Sequence, residues 1–163
     1  MARWAVEVAA KQHENDSEAA RLLAEARDLG ETGLKTARVS RMYWIEAEGS
    51  GRQEAQTLAE SLLADAVLDL YSVNADALAF PDAANGWIVE IRHKPGVADP
   101  VSETVVKAAA DLGALPPLHA ETGRKAYLVG PLNETQARSL IERLLMNAVI
   151  QTYELRHLRA AKG

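Results

Sequence analysis

The chain repeats itself, and the repeat limits the folds open to it more than any single motif does. At an offset of 83 residues, "WAVEVAAK" (Trp4 to Lys11) aligns with "WIVEIRHK" (Trp87 to Lys94), "ARDLG" (Ala26 to Gly30) with "AADLG" (Ala109 to Gly113), and Arg41 with Arg124. A one-residue gap near Ser50 then changes the offset to 82, and "LAESLLADAVLDLYSV" (Leu58 to Val73) aligns with "LIERLLMNAVIQTYEL" (Leu140 to Leu155). Four blocks kept in order, with one gap in a turn, mark a duplication. Residues 1–73 are read as the first copy, 74–86 as a linker, 87–155 as the second copy and 156–163 as a tail.

Each copy carries the same order of periodicities. Trp4, Val6 and Val8 alternate with Ala5 and Glu7, as Trp87, Val89 and Ile91 do with Ile88 and Glu90, which is the period of a strand. A helical stripe follows in each copy. Asp16 or Ser17 caps the first, with Ala19, Ala20, Leu22, Leu23, Ala26 and Leu29 on one side and Gly30 closing it. In the second, Asp99 suits the N-cap and Pro100 the first helical position, where its missing N–H costs nothing; Val101, Val105, Val106, Ala109 and Leu112 form its stripe before Gly113. Then come extended segments, "LKTARVSRMYWIEA" and "LHAETGRKAYLVG", long enough for one bent strand or a hairpin. Second helices hold Ala55, Leu58, Ala59, Leu62 and Leu63, matched by Ala137, Leu140, Ile141, Leu144 and Leu145. Asn133 with Gln136 makes a capping pair for the later one. Final strands, "VLDLYSV" and "VIQTYEL", end the copies. The expected class is α+β: two tandem strand-helix-strand(s)-helix-strand units of ferredoxin-like character, with largely antiparallel sheets, helices on one face, and a pseudo-twofold relation.

A unit of about 75 residues buries only about 60% of its unfolded surface, a marginal core. Two copies in contact stabilise each other, as the halves of a homodimer do. The 13-residue linker "NADALAFPDAANG" reaches about 43 Å when extended, enough to permit that contact.

The chemistry-bearing residues are sparse. Zero cysteines exclude disulfides, thiolate metal sites and a cysteine nucleophile. His13, His93, His119 and His157 lack the i, i+4 spacing of metal ligands. "GSG" (Gly49 to Gly51) lacks the Lys-Ser/Thr that completes a phosphate loop, and "NET" (Asn133 to Thr135) is explained by helix capping. No constellation of catalytic residues, cofactor site or metal site is expected. A formal charge of −5 disfavours nucleic acid, and the basic "RHLRAAKG" (Arg156 to Gly163) reads as a solvated tail. No apolar run approaches the roughly 18 residues of a membrane span, and the N-terminus alternates instead of showing a signal-peptide profile. The expectation is a soluble, cytoplasmic chain.

One loop stands out: "HKPGVADP" (His93 to Pro100), against "AKQHENDS" in the first copy, which keeps the Lys and Asp but not the Pro-Gly. It is either a strand exit, a glycine turn and a capped helix start, or a loop that meets a partner.

"VEIRHKPGVADPVSETVVKAAADLG" followed by "LLMNAVIQTYEL" resembles PurS, the small subunit of phosphoribosylformylglycinamidine synthase. That family has a strand, Lys-Pro-Gly-Val-x-Asp-Pro, a helix ending in Leu-Gly, and a late Leu-Leu-x-Asn-Pro-Val-Ile-x-x-Tyr block. The match spans nearly all of the second copy. The first is looser, through Lys11, Asp16 and "LLADAVLDLYSV", and Ala66 and Ala148 stand where the family commonly has Pro. The chain is thus similar to two PurS units in tandem, as in the N-terminal region of large single-chain synthases. The resemblance implies a non-catalytic assembly role, bridging the ATP-dependent synthetase and glutaminase subunits or domains, with further self-association open. Lys94, Pro95, Gly96, Val97, Asp99, Pro100, Arg124 and Lys125 are the partner-contact candidates. The alternative is a tandem ACT-like regulatory module binding an amino acid or other small ligand, since such domains also place a Pro-Gly-Val turn after their first strand.

Overall fold

The computed structural model describes residues 2–47, 51–74, 85–113 and 118–158. The first copy contributes β1 (Ala2–Ala10), α1 (Ser17–Asp28), β2 (Thr36–Ala47), α2 (Arg52–Leu58) and β3 (Asp69–Val73). The second contributes β4 (Gly86–His93), α3 (Pro100–Asp111), β5 (Leu118–Val129), α4 (Glu134–Leu140) and β6 (Gln151–Leu158). α2 and α4 each run on into a π-helical turn, Ala59–Leu63 and Ile141–Leu145. Each long extended segment is a single twelve-residue strand and not a hairpin.

The expectation of separate sheets is not met. All six strands join in one antiparallel sheet of order β3-β1-β2-β5-β4-β6, with β2 and β5 at its centre. Exchanging equivalent strands, β1 for β4, β2 for β5 and β3 for β6, gives the same order reversed. The β2–β5 register obeys the same rule. Arg41 pairs with Arg124, its equivalent in the repeat, and the pairs step away evenly, Ser40 with Lys125 and Met42 with Gly123. Each of these arginines donates to the last carbonyl of its own copy's π turn: Arg41 to Leu63 O at 3.2 Å, Arg124 to Leu145 O.

Alternation along β2 sorts the two faces of the sheet. Ala37, Val39, Tyr43 and Ile45 belong to the helix-covered cores, whereas Arg38, Ser40, Met42 and Trp44 are buried on the opposite face, which holds no helix among the described residues. The cores are shared between copies. One joins Ala19, Leu22 and Ala26 of α1 to Ala137 and Leu140 of α4, over Val89 and Leu128. The other joins Ala55 and Leu58 of α2 to Val105 and Ala109 of α3, over Val6 and Tyr43. Thus each core takes helices and strands from both copies.

The N-caps are Asp16 and Asp99, and each does more than cap. Asp16 Oδ1 accepts from Ala19 N at 3.1 Å, while Oδ2 accepts from Val39 N at 2.9 Å and lies 3.3 Å from Arg38 Nε. Asp99 Oδ1 accepts from Ser102 N at 3.0 Å and Thr122 Oγ1 at 2.8 Å, and Oδ2 from Thr122 N at 2.8 Å. Val39 and Thr122 each lie just past the last pair their strand makes with β1 or β4, so the carboxylates satisfy backbone donors beyond the reach of those strands. Asn133 and Gln136 form the expected capping box. The tail is corrected in part: Arg156 to Leu158 belong to β6, with Leu158 buried and His157 stacked on Trp87 at 4.0 Å. Their backbone groups complete the ladder to β4, Trp87 with His157 and Ile88 with Arg156.

These contacts set an order of sensitivity. Asp99→Ala removes a cap and two bonds to β5 and is expected to cost about 2–3 kcal/mol. Asp16→Ala also removes one half of the buried Asp16–Arg38 ion pair and is expected to cost about 3–5 kcal/mol. Urea unfolding of both variants measures this, and equal costs would contradict it.

Candidate functional site

The "HKPGVADP" loop leaves β4 as a tight turn. Val97 N donates to Lys94 O at 3.1 Å, with Pro95 second and Gly96 third at φ 82. Proline followed by a positive-φ glycine is the signature of a type II turn. Lys94, Pro95, Gly96 and Pro100 are exposed and Val97 half-buried. Asp99 is spent on its three donors. In the first copy, where Pro-Gly is absent, His13–Asn15 form a 3₁₀ turn instead.

A second segment lies against this loop. Lys94 N donates to Ile150 O at 2.8 Å, and its equivalent Lys11 N donates to Leu68 O at 2.8 Å. Val149 and Ile150, like Val67 and Leu68, were expected within the final strands, but they form the turns that precede them. Asn147 shapes the later turn: its Oδ1 accepts from Val149 N at 3.0 Å, and its backbone N–H donates to Gln151 Oε1 at 2.9 Å. Asp65 does the same in the first copy, accepting from Val67 N and Leu68 N at 2.8 Å and donating to Asp69 Oδ2 at 2.9 Å. Such Asx turns close a tight bend by binding backbone amides two residues on, and the side chains that follow are exposed. Val67 is 78% exposed and Val149 79%, with Leu68 at 51% and Ile150 at 38%. Two adjacent large apolar residues at an exposed tip, repeated at the equivalent position of the other copy, form an unusual surface for water to cover. The signal that could have found them is the Asp or Asn two residues ahead of the valine.

The lysines of these sites differ. Lys11 Nζ reaches Ala66 O at 3.3 Å, whereas Lys94 is exposed, with no side-chain partner among the described residues. The other two candidates do not join this surface. Arg124 sits at the centre of the β2–β5 ladder on the helix-covered face, donating to Glu18 and Leu145 O. Lys125 is buried on the opposite face, 3.3 Å from Glu7, so neither extends the exposed loop. Ligand chemistry is thin elsewhere: among the described residues no group of three His, Asp or Glu gathers as a metal site, and no helix is long and apolar enough to cross a membrane. No protein-family model matches the chain, and no curated protein matches it.

The turn of the first copy carries a charge that the second lacks. Hydrogen bonds from the Leu68 and Val67 amides, helped by nearby Lys11, hold the Asp65 carboxyl below the ordinary 3.8. A carboxylate with a depressed folded-state pKa contributes stability that is present above its unfolded value and is lost as pH falls through the folded one. Below pH 3.8 the Val67 and Leu68 amide resonances are therefore expected to shift with the Asp65 titration. Val149, bound by the neutral Asn147, serves as the internal control. Asp65→Asn is expected to abolish the shift and leave the turn closed; a titration of Val67 that persists in this variant would assign it to another group.

Proposed function

We propose that the chain is a non-catalytic assembly component of a phosphoribosylformylglycinamidine synthase, two PurS-like units in tandem that bridge the ATP-dependent synthetase and glutaminase parts of that ligase. The observation that carries the reading is the exposed Val149–Ile150 turn bonded to the Lys94–Pro100 loop. Both segments belong to the stretches whose sequence resembles PurS, and the exposed side chains of Lys94 and Val149 lie outside the core. An uncommitted lysine beside apolar side chains at a tip is a surface suited to docking, where charge sets specificity and association rate and buried apolar anchors set affinity. Repetition of the strand-helix-strand-helix-strand order, with a strand order symmetric under exchange of the copies, is what a fused pair of such units would have. The first copy repeats the apolar turn but not the Pro-Gly, and its lysine is tied to Ala66 O, so the second copy's end is the principal contact.

The test is binding of the full chain to purified synthetase and glutaminase. Wild type is expected to retain both. Lys94→Glu and Val149→Asp are each expected to weaken binding about tenfold or more, because reversed or buried charge at a contact typically costs over 1.4 kcal/mol, with unchanged thermal melts. Lys11→Glu is expected to matter less. The reading fails if wild type binds neither protein, or if both second-copy variants bind as wild type does. Saturable amino-acid binding by the chain alone would favour the ACT-like alternative.

A further inference from the structure

The sheet face opposite the four described helices breaks the symmetry that strand order and register obey. Across the seam, Lys125 Nζ of β5 lies 3.3 Å from Glu7 Oε1 of β1, and the Tyr127 hydroxyl donates to Glu7 Oε2; all three residues are buried. The first copy has Met42 where the second has Lys125, and Trp44 where it has Tyr127. Glu90, the equivalent of Glu7, turns to Arg92 of its own strand at 3.0 Å.

Trp44 fits its neighbours in one direction only. The Arg92 guanidinium stacks on its ring, 3.8 Å from the centroid. Its ring also lies over Gly123, where an added Cβ would come within 3.0 and 3.1 Å of two ring carbons, and within 2.2 Å of Ile91 O in β4. In the first copy the equivalents of Gly123 and Arg92 are Ser40 and Ala9.

We propose that this set of side chains is a pairing key: the seam of the first copy accepts the second copy and rejects another first copy. The register makes the comparison direct, because exchange of the copies maps Arg41 onto Arg124 and each neighbouring pair onto another. Two first copies joined by the same register would set Glu7 against Met42 and Trp44, with no cation for a buried carboxylate. They would also set the Trp44 ring against Ser40. Two second copies would set Glu90 against Lys125 and Tyr127, an acceptable arrangement. One forbidden combination suffices. Chains that exchanged partners to join two second copies would strand two first copies, so every seam joins a first copy to a second. Specificity of this kind comes from an uncompensated charge in the wrong complex more than from extra affinity in the right one.

The test stays within the full chain, because a substitution on one side of the seam recreates the wrong pairing internally. Lys125→Met gives the second copy the first copy's residue and presents Glu7 with a first-copy surface. It is expected to lower the melting temperature by roughly 6–20 °C. Adding Glu7→Gln is expected to restore more than half of that loss, which repair of a mere packing defect would not do. Met42→Lys is the mirror experiment. Burying a new lysine ordinarily destabilises strongly, yet here Glu90, shared with Arg92, occupies the place that Glu7 has beside Lys125, and the loss is expected to stay smaller than that of Lys125→Met. If Lys125→Met does not fold, a folded Glu7→Gln/Lys125→Met double variant supports the key and an unfolded one refutes it. A Met42→Lys loss as large as that of Lys125→Met, or no rescue by Glu7→Gln, overturns the proposal.

Discussion

The backbone ladder between β2 and β5 is the constraint on which the other features depend. Its twelve residue pairs place Arg41 beside Arg124 and turn two three-stranded halves into one sheet. Joining them removes two strand edges that would otherwise invite foreign pairing, leaving β3 and β6 as the outer strands. The ladder also positions the helices. α1 meets α4 and α2 meets α3 only because the strands beneath them are held in this register. A copy of this size has a marginal core alone, and here neither copy has a helical core to itself. Opening the seam would therefore expose both cores together.

The same conserved geometry is reached by different chemistry in the two copies. Asp16 and Asp99 each close a helix start and a stretch of strand that β1 or β4 no longer reaches, but Asp16 does so in a buried ion pair with Arg38 and Asp99 with the hydroxyl of Thr122. Asp65 and Asn147 shape equivalent turns, one charged and one neutral. The backbone demands an acceptor at a given point, and any side chain that delivers one serves. Polar requirements of this sort explain why a duplicated sequence can drift while its frame stays in register.

The two faces of the sheet divide the molecule's roles. The helix-covered face holds most of the apolar core. The opposite face holds Glu7, Arg38, Lys125 and Tyr127, where each buried charge depends on a specific partner. The exposed turns at residues 67–68 and 149–150 lie apart from both, carried by the segments that lead into β3 and β6. Their side chains can therefore change without disturbing the ladder, which suits a surface that meets another molecule.

The sequence alone determined the duplication, the alternation of extended and helical segments in each copy, the caps at Asp99 and Asn133, a first cap at Asp16 or Ser17, and the Pro-Gly turn, because these follow from local periodicity and from the φ preferences and side-chain acceptors of residues close in the chain. Only the tertiary structure decided that the copies share one sheet, that α1 shares a core with α4, and that Lys125 is buried while its neighbour Arg124 faces the helices. Those outcomes depend on contacts such as Glu7 with Lys125, which lie 118 residues apart. The valines and their partners at the two turns fell between the cases: an apolar pair before a strand reads as strand, until an Asx side chain binds the amides and turns the pair outward. Alternation tells which residues share a face, but a pairing between distant strands decides which face is buried, and against what.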